Sequence, residues 1–261
     1  KKIDLYEEVS VEEAWRVSGK SPISTKWVDI NKGTAEKPEV RCRLVARDFK
    51  PKGSKSTWDV FAAMPPLEAK RILMRYAALQ KFKPRCRGIG TKLKLMFIDA
   101  KKAHLNGRVE EGEDIFVQLP HEASSEGKCG KLRRWLYGMR GAGQAWERDY
   151  SRNLEETGFK KGVAAPTVFF HEERQLRCVM HGDDFTFLGF DSDLDHIAQL
   201  MAKWYEIKVR GRLDGEPGGR NEITLLNRVV KCQGSSLTFE DDPKHVQVLC
   251  EAFELCGKSA G

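Results

Sequence analysis

The chain has no Cys-x-x-Cys pair, no apolar leader, no hydrophobic run of membrane-spanning length and no internal repeat. Each absence removes a class of protein. The seven cysteines, at 42, 86, 129, 178, 232, 250 and 256, are odd in number and unpaired in spacing, which argues against a disulfide framework and a zinc knuckle and fits a reducing compartment. The N-terminal KKIDLYEEVS is charged where a signal peptide needs an apolar stretch, and nothing approaches the roughly 20 residues that span a bilayer. The expectation is an intracellular protein, cytoplasmic or nuclear, not secreted and with no membrane partner. Without a repeat, solenoids and propellers are excluded as well.

What is present is ordinary for a globular chain. At 261 residues, with 40% hydrophobic content and six tryptophans, it can bury a sizeable core in one large domain or in two to three subdomains. Forty-five Lys plus Arg stand against 38 Asp plus Glu, for a formal charge of +7. That excess favours a polyanionic partner.

Periodicity gives a coarse map. Val11 to Val17 reads as a short helix closed by Gly19, and STKWVDINKG with EVRCRLVARDF as two strands of a hairpin with a long loop. Pro65-Pro66 opens a helix whose expected apolar face is Leu67, Ile72, Leu73, Tyr76 and Ala77. The basic KFKPRCRGIGTKLK leads into a strand at Leu93–Ile98, and a second strand is expected at Ile115–Leu119. GQAWERDYSRNLEETG places Trp146, Tyr150 and Leu154 at four-residue spacing before Gly158. A strand at Val168–Phe170, a hairpin, a helix from Ser192 to Lys203 and a strand at Tyr205–Val209 follow. A final amphipathic helix starts at Asp242-Pro243 and presents Val246, Leu249, Phe253 and Cys256. From Leu93 onward the order is that of a split β-α-β, α+β fold.

Within RCVMHGDDFTFLG, Asp183 and Asp184 stand side by side between two strand-forming runs. A Gly-Asp pair at that place is an ordinary hairpin turn. Two adjacent carboxylates also repel, and a cation that neutralises them would give the pair a purpose. Asp99 ends the apolar strand KLMFIDA, where alternation calls for a core residue, and is the best third partner. Three carboxylates beside a basic groove form an oxygen-only site suited to Mg²⁺.

The stretches KWVDINKG with RCRLVARDF, FIDAKKAHLNGRVEEGEDIFVQLP, KLRRWLYGMRGAGQAW and HGDDF together resemble the reverse transcriptase domain of copia-type retrotransposons, across nearly the whole chain. The resemblance implies a right-hand polymerase with an α+β architecture: fingers from 1–92, a first part of a split β-α-β palm at 93–111, a fingers insert at 112–142, palm with the aspartate hairpin and primer grip at 143–232, and the start of a thumb at 233–261. It implies RNA-directed DNA synthesis on an RNA or DNA template with primer, from deoxynucleoside triphosphates, with two Mg²⁺ ions or Mn²⁺. Asp99, Asp183 and Asp184 correspond to the catalytic metal ligands. Arg43, Ala100 and His104 fall at nucleotide-binding positions, and Lys92, Lys94, Arg133, Arg140, Asn227 and Arg228 are the expected nucleic-acid contacts, the last two within the primer-gripping LLNRVVKC. The basic segment Lys81–Lys94 reads equally as a solvated loop.

Three departures from the family pattern stand out. His181-Gly182 replaces Tyr-Val before the aspartate pair, Gly141-Ala142-Gly143 replaces Gln-Ala-Pro, and PRCRGIGT is inserted ahead of the Asp99 strand. They leave a second class open, a domesticated or decayed polymerase fold that binds nucleic acid or a protein without synthesis. Retention of all three carboxylates separates the two, since a binding relic has no physical reason to keep them.

Overall fold

The computed structural model describes residues 3–34, 36–49, 62–80, 93–123, 125–213, 220–225, 228–233, 236–240 and 243–253. In chain order its elements are β1 (Tyr6–Ser10), α1 (Val11–Ser18), β2 (Thr25–Asn31), β3 (Val40–Ala46), α2 (Leu67–Gln80), β4 (Lys94–Ala100), β5 (Phe116–Val117), β6 (Lys128–Leu132) and α3 (Ala142–Glu156). There follow β7 (Lys160–Lys161), β8 (Val168–His171), β9 (Leu176–His181), β10 (Asp184–Gly189), α4 (Asp191–Trp204), β11 (Ile207–Leu213), β12 (Glu222–Leu225), β13 (Arg228–Gln233), β14 (Ser236–Phe239) and α5 (Pro243–Ala252). They form two compact units, one of Lys1–Met64 with Lys101–Gly158, the other of Pro65–Ala100 with Phe159–Gly261. None of the described helices is long and apolar enough to cross a membrane.

In the first unit, β1, β6 and β5 make a three-stranded sheet and β2 pairs with β3. Helix α1 is closed at both ends by local chemistry. The Ser10 hydroxyl accepts from the Glu13 N–H at 3.0 Å, and Gly19 takes a left-handed conformation to end it. Ala46, Val117, Leu132, Leu136, Met139 and Ala142 form the main core. In α3 the expected stripe of Trp146, Tyr150 and Leu154 is buried. The second expected strand shrinks to Phe116–Val117.

The second unit is built on a six-stranded antiparallel sheet in the order β11-β4-β10-β9-β8-β7. Strands β11, β4, β10 and β9 stand in the spatial order of a split β-α-β fold, with β4 in the centre and α4 as the crossover between β10 and β11. Central position explains the sequence of β4, in which Leu95, Met96, Phe97 and Ile98 are all buried because both faces are covered. On one face Leu95, Phe97, Val179 and Leu188 meet Leu73, Met74 and Ala77 of α2 together with Ile223, Leu225 and Val230 of the β12-β13-β14 sheet. On the other, α4 buries Leu194, Ile197 and Met201.

Two expectations need correction. The apolar face of α2 is displaced: Ile72 is 64% exposed, and the buried stripe is Lys70, Leu73, Met74 and Ala77. Their i, i+3, i+4, i+7 spacing lies on one face of a 3.6-residue helix; Leu73 and Ala77 are buried as expected and Tyr76 packs against the same core. The last sheet strand begins at Ile207 rather than Tyr205, because the Tyr205 N–H is still bonded to the Met201 carbonyl at the end of α4. Helix α5 forms as expected, with Val246, Leu249 and Phe253 exposed; Asp242 and Cys256 lie outside the described residues.

Candidate active site

The aspartates are assembled by strand register within the second unit. Gly182 and Asp183 form a two-residue turn between β9 and β10, and Gly182 has φ +67°, the positive value that glycine adopts freely at the first position of such a turn. His181 thereby pairs with Asp184, and on the other side of β10, Asp184 stands directly opposite Asp99. The Ala100 N–H donates to the Asp183 carbonyl at 2.9 Å, tying the turn to the end of β4. One carboxylate oxygen from each of Asp99, Asp183 and Asp184 lies within 4.8 Å of the others. Asp184 is 5% exposed, Asp99 half-buried and Asp183 exposed.

Directly opposed like charges destabilise a sheet, and the structure sets two cations against them. An Arg210 Nη2 lies 2.9 Å from Asp99 Oδ1 and 3.0 Å from Asp184 Oδ1. Arg210 reaches them through a bulge in β11: Val209 pairs with Ile98 and Gly211 with Phe97, so Arg210 is the extra residue. Bulges of this kind re-aim a side chain. The second cation is Lys70, 7% exposed, whose Nζ has no hydrogen-bond partner among the described residues.

Burial dominates the titration of Asp184, Lys70 and His181. It pushes the Asp184 carboxyl up, against the pull of Arg210, and lowers the Lys70 ammonium to about 8, against the attraction of Asp184. It also lowers the His181 imidazole, with Lys70 acting in the same direction. Desolvation disfavours the charged form in each case.

The donor set suits a hard divalent ion. All three groups are carboxylates on two adjacent strands and the turn between β9 and β10, an oxygen-only cluster that Mg²⁺ or Mn²⁺ accepts and a thiophilic ion does not.

In the first unit two other expected residues meet at one that sequence reasoning passed over, Tyr137. The His104 ring lies 5.4 Å from it, tilted by 46°, and the Arg43 guanidinium sits over the same ring at 5.4 Å. Tyr137 is fixed by its carbonyl, which accepts from the Ala46 N–H at 2.8 Å. The next residue must be glycine: Gly138 has φ +82°, and a Cβ there would come within 2.4 Å of the Ala46 carbonyl. One departure from the family pattern has a similar steric cause. A Cβ at Gly141 would lie 2.4 Å from the Trp135 ring.

The remaining expected residues are dispersed. Ala100 has a fully buried side chain, and its N–H is taken by Asp183. Lys94 pairs with Asp191 at 2.7 Å, Arg133 with Asp4 and Glu7, and Arg140 with Asp48 at 3.6 Å. Arg228 stacks over Phe239 and, with Lys70, Arg71 and His181, lines a small cavity of about 50 Å³. Lys92 and Asn227 lie outside the described residues. Sequence reasoning missed Lys70, Arg210 and Tyr137. Lys70 was within reach, as the head of the α2 stripe; Arg210 was not, because a bulge leaves no mark in a polar strand.

A four-strand split β-α-β sheet with three carboxylates at one end of its central strands is the form of a nucleotidyl-transfer palm. A family model described as reverse transcriptase (RNA-dependent DNA polymerase) matches residues 12–215, and the chain belongs to this family. It is 26% identical over 249 residues to the retrovirus-related Pol polyprotein from transposon TNT 1-94 of Nicotiana tabacum, a match covering 91% of this chain and 17% of that polyprotein. Among solved structures, an apo telomerase from Candida tropicalis aligns over 90% of this chain and 56% of its own, at 12% identity and a TM-score of 0.47. A telomerase from Candida albicans in complex with a TWJ fragment of telomeric RNA aligns over 97% and 53%, at 9% identity and 0.43. A foamy viral protease-reverse transcriptase in complex with double-stranded DNA aligns over 97% and 34%, at 10% identity and 0.43.

Proposed function

We propose that the chain carries out RNA-directed DNA synthesis, joining deoxynucleoside triphosphates to a primer paired with an RNA or DNA template, with Asp99, Asp183 and Asp184 holding two Mg²⁺ ions. The observation that carries this reading is the convergence of the three carboxylates within 4.8 Å. Asp99 and Asp184 are locked in opposed register on β4 and β10 and offer fixed oxygens. Asp183, exposed on the turn, offers one that can adjust. When bound, such ions supply charge compensation at the attacking 3′-hydroxyl and at the departing pyrophosphate of an in-line displacement. Lys70 and Arg210 add positive charge to the same end of the sheet, where negative charge gathers during transfer.

On this reading the second unit is palm, with the β12-β13 hairpin and Arg228 toward the primer strand. Arg43 and His104, gathered on Tyr137, take the nucleotide-facing roles that their motifs imply. The net charge of +7 fits a phosphate-rich partner.

The test is primer extension with Mg²⁺ by the chain and by Asp183→Asn. The variant is expected to lose extension by about three orders of magnitude or more, as when one member of a unit that acts together is removed, while its thermal unfolding stays cooperative. Undiminished extension by the variant refutes the assignment. One observation favours the binding-only alternative, the neutralisation of Asp99 and Asp184 by Arg210; a wild-type chain that binds primer-template and extends nothing would establish it.

A further inference from the structure

The metal reading rests on carboxylates, yet one nitrogen already bridges two of them. Arg210 Nη2 is within 3.0 Å of the Oδ1 atoms of both Asp99 and Asp184. An ion held by those two oxygens, about 2.1 Å from each, would occupy nearly the volume of that nitrogen. A guanidinium and a divalent cation cannot share the position, since both charge and space forbid it.

Resting on the proposed metal site, we infer that Arg210 is a resident counter-cation that holds Asp99 and Asp184 until a divalent ion replaces it, so that metal loading is an exchange in which the guanidinium is displaced. Three features of the chain suit it to this. The cross-strand pair Asp99 and Asp184 needs a cation for the sheet to close in this register, and Arg210 is placed to supply it. The backbone at the bulge is anchored independently of the side chain, because the Arg220 guanidinium donates to the Arg210 carbonyl. The Arg210 side chain is 31% exposed, which leaves it a path to solvent. Among the described residues Arg210 bridges two of the carboxylates, and the Lys70 ammonium faces Asp184 without a hydrogen-bond partner.

The experiment measures metal binding rather than synthesis. Mn²⁺ is titrated into the full chain without nucleotide and followed by loss of its free paramagnetic resonance signal, in wild type, Arg210→Gln and Asp183→Asn. Arg210→Gln is expected to bind Mn²⁺ about tenfold or more tightly, since at least one charge-assisted contact no longer has to be broken. Asp183→Asn is expected to bind more weakly than wild type. Equal or weaker binding by a cooperatively folded Arg210→Gln overturns the exchange. Binding of Mn²⁺ by none of the three overturns both the exchange and the metal site beneath it, whereas equal binding by wild type and Arg210→Gln overturns the exchange alone. A second measurement stands if Arg210→Gln does not fold: ¹⁵N spectra of arginine side chains in the wild type, with Arg210 assigned by Arg210→Lys. The slowed guanidinium rotation that the ion pairs impose is expected to disappear on saturation with Mg²⁺, and its persistence refutes displacement.

Discussion

Replacing Lys70 with methionine tests the electrostatics of the site from beneath. The ammonium is 7% exposed and has no hydrogen-bond partner among the described residues, and burial draws its pKa from 10.5 to about 8. A buried cation of this kind costs stability. Between pH 8 and 10.5 the unfolded chain keeps the proton that the folded chain has released, so the unfolded state binds more protons and stability rises with pH through that window. Below about 8 both states are protonated and the whole cost is present. At about 1.4 kcal/mol per pH unit the drop corresponds to roughly 3 kcal/mol. Attraction to Asp184 is already contained in that figure, and its loss raises the Asp184 carboxyl further, so the net gain expected for Lys70→Met at pH 7 is about 2 kcal/mol. Methionine keeps the apolar stem against Leu73 and Met74 and leaves out the charge. Urea unfolding of both proteins at pH 7 and pH 10 measures the difference, which cancels the other titrating groups. The variant should be more stable at pH 7, with the advantage largely gone at pH 10. A variant less stable than wild type at pH 7, or a difference that does not change with pH, refutes the placement of Lys70 as an unpaired buried charge.

On the proposed function His104 faces the nucleotide, and its imidazole can hydrogen-bond a hydroxyl where a phenyl ring cannot, so His104→Phe is expected to raise the preference for deoxynucleotides over ribonucleotides. An apolar pocket rejects an added hydroxyl by only about a hundredfold, and the ratio of kcat/KM for the two sugars is the measurement; no change places His104 away from the sugar. Gly138→Ala is expected to destabilise the chain by about 2 kcal/mol or more, because the residue combines a positive φ with a Cβ position 2.4 Å from the Ala46 carbonyl. Calorimetric unfolding within 0.5 kcal/mol of wild type, on the order expected of a neutral surface change, would contradict it.

Legibility differed between the anionic and cationic halves of the site. Asp99 was visible as a charge at the end of an apolar strand, and Asp183 with Asp184 as a charged pair inside a hairpin signal; both are local violations of a pattern that the strands otherwise keep. Their convergence followed from the split β-α-β order, in which the first strand lies beside the central hairpin. Arg210 sits in KVRGRL, where basic residues alternate unremarkably and only the bulge at Gly211 turns one of them inward. In α2 the expected set took Ile72, which is exposed, and passed over Lys70, which heads the buried stripe. Tyr137 stood in a stretch quoted for its resemblance alone, and its role as the seat of Arg43 and His104 depends on the β2-β3 hairpin lying against it, a long-range contact with no local signature. Ala100 is a different case. The resemblance puts it at a nucleotide-binding position; in the structure its methyl is buried, it pairs with Ile207 of β11 and its N–H is engaged by the Asp183 carbonyl of the turn.

The same register explains why the three carboxylates are unequal. Asp184 is the first residue of β10, paired to His181 on one side and Asp99 on the other, so its position is set by two ladders and its carboxyl is buried. Asp99 is set by β10 and β11 together, opposite Asp184 and Lys208. Asp183 belongs to neither ladder, and its carbonyl accepts from the Ala100 N–H. Two rigid oxygen donors and one adjustable donor suit an ion that keeps waters and phosphate oxygens among its ligands, because a fully rigid cage would leave nothing to follow the changing substrate. Gly182 contributes to that freedom. With no side chain and nothing within 4 Å of where a Cβ would lie, it leaves open space beside the turn that carries Asp183. The substitution of His-Gly for Tyr-Val ahead of the aspartates thus falls where the hairpin is least constrained, at the turn and its flank, and spares the two carboxylates whose places depend on the sheet.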